Sequence, residues 1–159
     1  MALAASCGAH YASAGAARLV TVVRVAESDT EIERCFPVMH QLRPALAAEE
    51  FVDRIRTQEA EGYRLAFLEH EGRVVSVAGF RLMSVLWSGK TLYVDDLVTD
   101  EAARSKGHGE TILTWLMDHA RAAGCATFSL DSGTHRREAH AFYFRHGLRI
   151  SDFHFQKPL

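Results

Sequence analysis

The spacing of apolar residues separates stretches that alternate with a period of two from stretches with a helical period. Residues 19–28, LVTVVRVAES, form a mostly apolar run that predicts a strand, and Ser28 with Glu31 forms a capping box that begins a helix. Pro37 lies inside this helix, and we expect a kink or break there because an interior proline costs about 3 kcal/mol. A second helix is predicted over about 47–61.

Three strand-like runs follow the two helices. They cover residues 63–70, 73–85 and 91–98, and turns containing Gly72 and Gly89 join them. Short connections of this kind predict a meander of three antiparallel strands.

The pattern then changes to strand, glycine loop, helix and strand. The helix begins near 108 and stops at Gly124, and the strand that follows covers 126–131. Such a βαβ unit predicts that 91–98 and 126–131 are parallel, with a right-handed crossover. A last helix at 137–147 and a strand at 148–156 complete an α+β fold: a mixed, mostly antiparallel sheet with one parallel βαβ unit and helices on both faces.

Length and composition fit one ordinary domain, with 159 residues, 48% hydrophobic and 24% charged. We interpret the Ala/Ser/Gly-rich residues 1–18 as a tail and residues 19–159 as a single domain.

A net charge of −2 provides no global field to attract nucleic acid or an anionic membrane, so any anion site must be local. No apolar run approaches 18 residues, which excludes a membrane span.

The cysteines and histidines indicate neither a disulfide scaffold nor a metal site. The three cysteines, without CxxC spacing, are Cys7, Cys35 and Cys125. The histidines of the C-terminal quarter, which have no helical ligand spacing with an identifiable third ligand, are His135, His140, His146 and His154. We therefore expect no bound metal, no covalent intermediate on a cysteine and a cytoplasmic location.

The segment RSKGHGE, residues 104–110, has the chemistry of an anion-binding loop. Gly107 and Gly109 carry no side chain that would block an approaching phosphate, and the first N–H groups of the next helix lack internal partners. Arg104 and Lys106 can reach the outer oxygens. Neither the Walker A pattern nor GxGxxG matches, and a solvated basic turn remains the alternative.

Further residues on neighbouring elements extend this pattern to most of the chain. An Arg-x-x-Gly-x-Gly loop is formed by Arg104, Gly107 and Gly109, and a later motif by Ala139, Phe142-Tyr143 and Gly147-Leu148. With these two motifs the chain resembles the GCN5-related N-acetyltransferase superfamily over residues 20–156. The resemblance implies that acetyl-CoA binds where the strands 91–98 and 126–131 splay apart, near a bulge in the first.

The resemblance also implies which residues bind the cofactor. Its pantetheine arm would pair with the main chain of Leu97, Val98 and Thr99, where one N–H would face the thioester carbonyl. Its pyrophosphate would lie on the loop formed by Arg104, Ser105, Lys106, Gly107, His108, Gly109 and Glu110. Arg136 stands where many members have an asparagine that contacts the cofactor arm, so it could serve a phosphate or the acceptor instead.

Acetylation of an amine requires a proton acceptor, because deprotonating an ammonium of pKa about 10 at pH 7.5 costs roughly 3 to 4 kcal/mol. Asp95 and Asp96 are the candidates, and strand alternation sends them to opposite faces unless a bulge intervenes. The resemblance favours Asp96, two positions before Val98. An ordinary carboxylate pair at a strand end is the alternative.

Tyr143 matches the tyrosine that serves the leaving sulfur in similar enzymes. A phenol is a weaker acid than a thiol by roughly 2 kcal/mol, so Tyr143 either donates its proton with help from desolvation or only donates a hydrogen bond. A core aromatic on the stripe it shares with Phe142 and His146 is the alternative.

Together these residues predict an N-acetyltransferase that moves an acetyl group from acetyl-CoA directly to an amine in a ternary complex. A silent acyl-CoA sensor or scaffold and a nucleotide-binding phosphate loop are the alternatives. Residues 29–62 and 82–90 are expected to select the amine, which is a small molecule or a peptide. The acidic second helix suggests a cationic amine, although a solvated face explains its charges equally well. Association of two copies into a homodimer stays open.

Overall fold

The computed structural model describes residues 21–159, so the proposed tail at 1–18 lies outside the described residues. In chain order the elements are β1 (Val22–Val25), α1 (Asp29–Leu42), α2 (Ala48–Ala60), β2 (Tyr63–His70), β3 (Arg73–Val85), β4 (Gly89–Thr99), α3 (His108–Ala122), β5 (Thr127–Leu130) and α4 (Arg137–Arg145). A single 3-10 turn, Glu101–Ala103, joins β4 to the loop before α3.

The five strands form one sheet in the order β1-β2-β3-β4-β5. Neighbours are antiparallel from β1 to β4, whereas β4 and β5 are parallel, with Thr91 opposite Thr127 and Val94 opposite Leu130. The predicted mixed, mostly antiparallel sheet with one parallel βαβ unit is therefore confirmed.

Helix α1 begins where the capping box predicts. The Glu31 N–H donates to Ser28 Oγ at 3.3 Å, and the Ser28 N–H donates to Glu31 Oε2 at 3.3 Å. The helix then continues through Pro37 instead of breaking there. Pro37 and Glu33, whose carbonyl loses its helical partner, are both exposed, so water can solvate that carbonyl. The opposite side of α1 is anchored in the core by Ile32, Cys35, Val38 and Met39.

Helices cover both faces of the sheet and bury two apolar layers. On one face α1 and α2 pack against β2 and β3 through a cluster that includes Phe51, Ile55, Leu65, Phe67 and Val77. On the other face α3 packs through a cluster that includes Ala66, Phe80, Leu92, Ile112 and Leu116. Burial on both sides explains why β2 and β3 read as nearly continuous apolar runs.

The predicted strand at 148–156 does not form, and that prediction was wrong. Its apolar side chains lie in solvent, with Ile150, Phe153 and Phe155 exposed by 69, 85 and 90%. The neighbouring edge strand β5 is only four residues long, so it offers little main chain for a ladder. The segment instead meets the end of β5 through a side chain, with His154 Nδ1 at 2.8 Å from Asp131 Oδ2.

Candidate active site

A β-bulge interrupts the pairing of β4 with β3. Val94 lies opposite Phe80 and Asp96 lies opposite Gly79, so Asp95 is the extra residue with no partner on β3. A bulge changes the alternation of side chains along a strand. As a result Asp95 and Asp96 line the same large cavity: the bulge removes the alternation that would otherwise send the two side chains to opposite faces.

Past the bulge, β4 has an open edge. Its pairing with β5 ends at Val94, and Asp100 N–H donates to Val75 O of β3 at 2.9 Å. Because main-chain groups alternate in direction along a strand, those of Leu97 and Thr99 point away from β3 while those of Val98 point toward it. The Thr99 carbonyl accepts from Arg104 Nε at 3.4 Å, in agreement with this direction.

Two cavities meet at the bulge. The large cavity, about 1090 Å³, lies between the end of α1, α2 and β4. A smaller one of about 140 Å³, called the strand cleft below, opens beside β4 and β5 and is lined by residues that include Leu97, Leu130, Ser132, Arg136 and Tyr143. Asp95 and Arg43 line both cavities, so ligands bound in the two cavities could meet at the bulge.

Asp96 is bonded on both oxygens. Arg43 Nε donates to Oδ1 at 2.7 Å, and the Tyr63 hydroxyl donates to Oδ2 at 3.1 Å. Tyr63 is 1% exposed, and burial, with the charge of Asp96, raises its pKa well above the ordinary value, so the phenol stays a donor. Its ring lies against Gly79, where any Cβ would overlap it.

Asp95 has a different environment. Arg81 Nε donates to its two oxygens at 3.2 and 3.1 Å, and Gln58 Oε1 holds that guanidinium by accepting from Nη2 at 2.7 Å. Burial raises the pKa of Asp95 above the ordinary value, and this outweighs the opposite effect of Arg81. A carboxylate of raised pKa is a stronger proton acceptor than an exposed one.

Tyr143 faces the strand cleft from α4. Burial raises its pKa, and the nearby charge of Arg136 acts in the opposite direction, so the hydroxyl keeps its proton at neutral pH. Ser132, in the loop after β5, has a buried Oγ with no hydrogen-bond partner among residues 21–159, and it lines the same cleft. The cleft therefore contains two hydroxyl groups, of which the sequence indicated only Tyr143.

The glycine loop ends in a helix N-terminus with free donors. Gly107 is the N-cap of α3 with φ +84°, a conformation that favours glycine. The first helical bond runs from Thr111 N–H to the Gly107 carbonyl at 2.9 Å. The N–H groups before Thr111 therefore have no helical partner, and with the exposed cations Arg104 and Lys106 they fit a pyrophosphate.

Three of the predicted loop residues could contribute only main-chain groups. The His108 ring is buried against His70, with centroids 4.9 Å apart, and its pKa is lowered by burial, by His70 and by Lys106. Gly109 provides room, since a Cβ there would lie 3.2 Å from Thr99 Oγ1. Glu110 is exposed, and its acidic side chain would not favour a phosphate.

The remaining predicted residues lie on both sides of the loop. Ser105 is exposed in the loop with φ +61°, and Arg136 is the N-cap of α4 beside the strand cleft. The sequence did not indicate Arg43 or Tyr63. Their only local signal is Gly79, because an isolated glycine within a strand suggests a bulge or a close approach.

The described residues include one buried thiol and no metal cluster. Cys35 is buried, and burial raises its pKa to about 12, which keeps it a thiol. Residues 21–159 contain no group of three or more His, Cys, Asp or Glu side chains that could hold a metal ion. Over the same range, no helix has the length and apolar character needed to cross a membrane.

The chain belongs to the acetyltransferase (GNAT) family, whose model matches residues 27–148. This range includes the bulge, the glycine loop and Tyr143, so the resemblance seen in the two motifs is confirmed at the level of the family.

Two curated proteins are similar in sequence. An uncharacterized N-acetyltransferase of Bacillus subtilis, YhdJ, is 34% identical over 134 residues, which is 83% of this chain and 94% of that protein. The aminoalkylphosphonate N-acetyltransferase of Salmonella typhimurium is 35% identical over 101 residues, which is 61% of this chain and 62% of that protein. Both are N-acetyltransferases by name, and acetyl transfer is the general activity they support.

A solved structure supports the fold. The aminoglycoside N-acetyltransferase AAC(6')-Iy, in complex with CoA, aligns with a TM-score of 0.74 over 91% of this chain and 99% of that one, at 11% identity. At this identity the likeness concerns the fold alone.

Proposed function

We propose that the protein is an N-acetyltransferase that takes its acetyl group from acetyl-CoA and transfers it directly to an amine bound in the large cavity. The observation that carries this proposal is the bulge at Asp95, where the large cavity and the strand cleft meet beside the open edge of β4. A site open on both sides suits a reaction in which donor and acceptor are bound together. We also propose a cytoplasmic location, on the cysteine pattern.

The residues beside the strand cleft fit coenzyme A. Acetyl-CoA would supply the activated acetyl thioester, and its pyrophosphate is the part that suits the N–H groups at the start of α3. Gly107 would let the main chain approach, and Arg104 and Lys106 would add charge-assisted hydrogen bonds of about 1.5 to 3 kcal/mol each. The outward groups of Leu97 and Thr99 would hold an extended arm by main-chain pairing.

Asp95 is proposed as the group that accepts the proton of the acceptor ammonium, directly or through one water. It lines both cavities, and burial raises its pKa, which makes it a stronger proton acceptor than an ordinary exposed carboxylate. Asp96 accepts from two different side chains, Arg43 and Tyr63, which suits a structural role, whereas the two oxygens of Asp95 share the single donor Arg81 Nε. This assignment departs from the family resemblance, which favours Asp96.

Tyr143 and Leu97 are proposed to stabilise the two sites where negative charge grows. The Tyr143 hydroxyl, still protonated, would donate a hydrogen bond to the departing sulfur. The Leu97 N–H, which points to the open edge, would donate to the carbonyl oxygen of the acetyl group. The raised pKa of Tyr143 favours hydrogen bonding over full proton donation.

The acceptor class is proposed from the charge of the large cavity. Its wall contains five acidic residues and two arginines: Glu49, Glu50, Asp53, Asp95, Asp96, Arg43 and Arg54. Arg43 is paired with Asp96 and Arg54 with Glu50, whereas Glu49 and Asp53 form no ion pair in the part of the chain described. This wall favours a cationic amine. The Salmonella relative is named for an aminoalkylphosphonate, which carries an anionic group.

A panel of amines tests the function. Polyamines, aminoglycosides, amino acids, lysine peptides and aminophosphonates are each assayed for release of free CoA from acetyl-CoA. Turnover with any amine is the expected result, with cationic members the fastest. Tight binding of acetyl-CoA without CoA release for any of them would favour the sensor or scaffold. Binding of ATP or NAD that acetyl-CoA does not displace would favour a nucleotide site.

A further inference from the structure

Arg43 connects the loop after α1 to the bulge. It follows α1 directly, and its side chain lies between the large cavity and the strand cleft. Nε donates to Asp96 Oδ1 at 2.7 Å, while Nη2 donates to the main-chain carbonyl of Asp95 at 3.2 Å. One guanidinium therefore bonds two successive residues of β4.

The bond to the carbonyl matters because of what a bulge leaves unpaired. The extra residue of a bulge has no partner on the neighbouring strand, and here that residue is Asp95. Arg43 supplies a donor for the Asp95 carbonyl. Arginine is suited to the position because its guanidinium holds several N–H donors in a fixed planar fork, whereas the donors of a lysine ammonium lie on a single atom at the end of a flexible chain.

Asp96 is the fixed end of this arrangement. The buried hydroxyl of Tyr63 holds its second oxygen, and the ring of Tyr63 is held in turn against Gly79, the residue opposite Asp96. An arginine bonded to an anchored carboxylate can restrain the residue beside it.

We propose that Arg43 is a positioning residue: anchored on Asp96, it holds the bulge in the form that presents the Asp95 carboxylate to the large cavity. This inference rests on the proposed function, in which Asp95 accepts the proton of the amine. In this proposal the loop between α1 and α2 forms part of the cavity wall and also positions the proton acceptor.

A purely electrostatic role for Arg43 makes the opposite prediction about the Asp95 pKa. The charged groups that act on Asp95 are Arg81 on β3, Asp96 on β4 and Arg43 itself. If Arg43 is only a nearby positive charge, its removal raises the Asp95 pKa further. If Arg43 holds the bulge, its removal lets Asp95 leave its partly buried position, and the pKa falls toward the ordinary value.

The experiment compares Arg43→Ala and Arg43→Lys with a matched control, Arg34→Ala. Arg34 lies on α1 and also bonds one carboxylate and one main-chain carbonyl, those of Glu69 at 3.0 Å and Gly72 at 3.2 Å, but it lines neither cavity. In Arg43→Ala we expect kcat to fall by about 10²-fold, the loss that a misplacement of roughly 1 Å can cause. Arg43→Lys should recover little, and Arg34→Ala should match the parent.

The second readout is the Asp95 pKa, followed by NMR of the ¹³C-labelled carboxyl in the free protein and assigned with Asp95→Asn. A lower Asp95 pKa in Arg43→Ala supports the proposal, whereas a higher or unchanged pKa overturns it. Full recovery of kcat in Arg43→Lys would also overturn it, because charge alone would then suffice. The NMR titration of Asp95 is done without an amine substrate. If no amine releases CoA, the proposed function is refuted, but that result does not decide whether Arg43 holds the bulge; the titration does.

Discussion

The two sides of the bulge are built from different chemical groups. On the side of α1 and α2, charged and phenolic side chains bond one another, in the pairs Arg43–Asp96, Tyr63–Asp96 and Arg81–Asp95. On the side of β5 and α4, most of the proposed cofactor groups are main-chain donors and acceptors at the edge of β4 and the start of α3, joined by the side chains of Tyr143, Arg104 and Lys106. Burial differs as well: α1 has four buried residues and α4 has none.

This difference indicates which kind of substitution should disrupt each side of the bulge. The side proposed for the acceptor depends on the identity of its charged residues, because replacing one partner leaves another carboxylate or guanidinium without its bond. The main-chain groups on the side proposed for the cofactor depend on backbone conformation, and many side chains could occupy those positions without changing the direction of an N–H group. Substitutions that test the comparison should therefore exchange charges on one side and glycines on the other.

The largest effect is expected for Asp95→Asn. Loss of the proton acceptor should lower kcat by about 10² to 10⁴-fold, measured as CoA release with an active amine. Asp96→Asn is the matched control and should lose less. An asparagine there can still accept from Arg43 through its amide oxygen, and its NH₂ can donate to the Tyr63 hydroxyl. A greater loss in Asp96→Asn would move the base back to Asp96.

The pH profile of activity adds an expected direction of change to this test. The proposed base works when it is ionised, and burial raises the Asp95 pKa, so activity should fall as the pH decreases through that raised value. The acid limb of kcat/KM should thus lie above the ordinary aspartate pKa of about 3.9, and Asp95→Asn should lose it. An acid limb that persists unchanged in Asp95→Asn would contradict this assignment.

Tyr143→Phe should have a smaller effect, with kcat reduced by about 10 to 150-fold, the equivalent of a hydrogen bond of 1.5 to 3 kcal/mol. Phenylalanine keeps the ring, so packing against Phe142 is preserved. Because burial raises the Tyr143 pKa above 10, its proton is lost only at higher pH, and the parent should lose activity there while the variant shows no such limb. Unchanged kcat would leave Tyr143 as a packing residue.

On the cofactor side, Gly107→Ala should weaken CoA binding by about tenfold or more, as loss of one charge-assisted hydrogen bond would. The matched control is Gly72→Ala in the turn between β2 and β3. Both glycines have positive φ, +84° and +75°, and neither has an atom within 4 Å of an added Cβ. Each change should cost about 1 to 2 kcal/mol in stability, and calorimetry should find weaker CoA binding only for Gly107→Ala. Equal affinities in the two variants would place the phosphate site elsewhere.

The smallest effect is expected from removing residues 1–18. Their Ala/Ser/Gly-rich composition offers little apolar surface for anchoring, so we expect unchanged thermal stability and unchanged CoA affinity. A melting temperature lower by several degrees would show that these residues pack on the domain or on a second copy.

The elements and their order could be predicted from local patterns. The capping box at Ser28 predicts where α1 begins. The order of strand, glycine loop, helix and strand around α3 predicts a parallel crossover. The capping box is a contact between residues three positions apart, and the crossover follows from the order of neighbouring elements along the chain. The strand expected at 148–156 failed because alternation alone forms no strand: β5 has too few residues to pair with it.

Local patterns were enough to identify the residues proposed for the site: an acidic pair at the end of a strand, a glycine loop at a helix N-terminus and a tyrosine on the last helix. How these residues are arranged depends on contacts between distant parts of the chain. The register of β3 on β4 makes Asp95 the bulged residue, and Gly79 lets Tyr63 reach Asp96 from a strand 33 positions earlier. Arg43 reaches both aspartates across 52 and 53 positions. Contacts of this separation depend on packing between elements, which no local pattern of residues encodes.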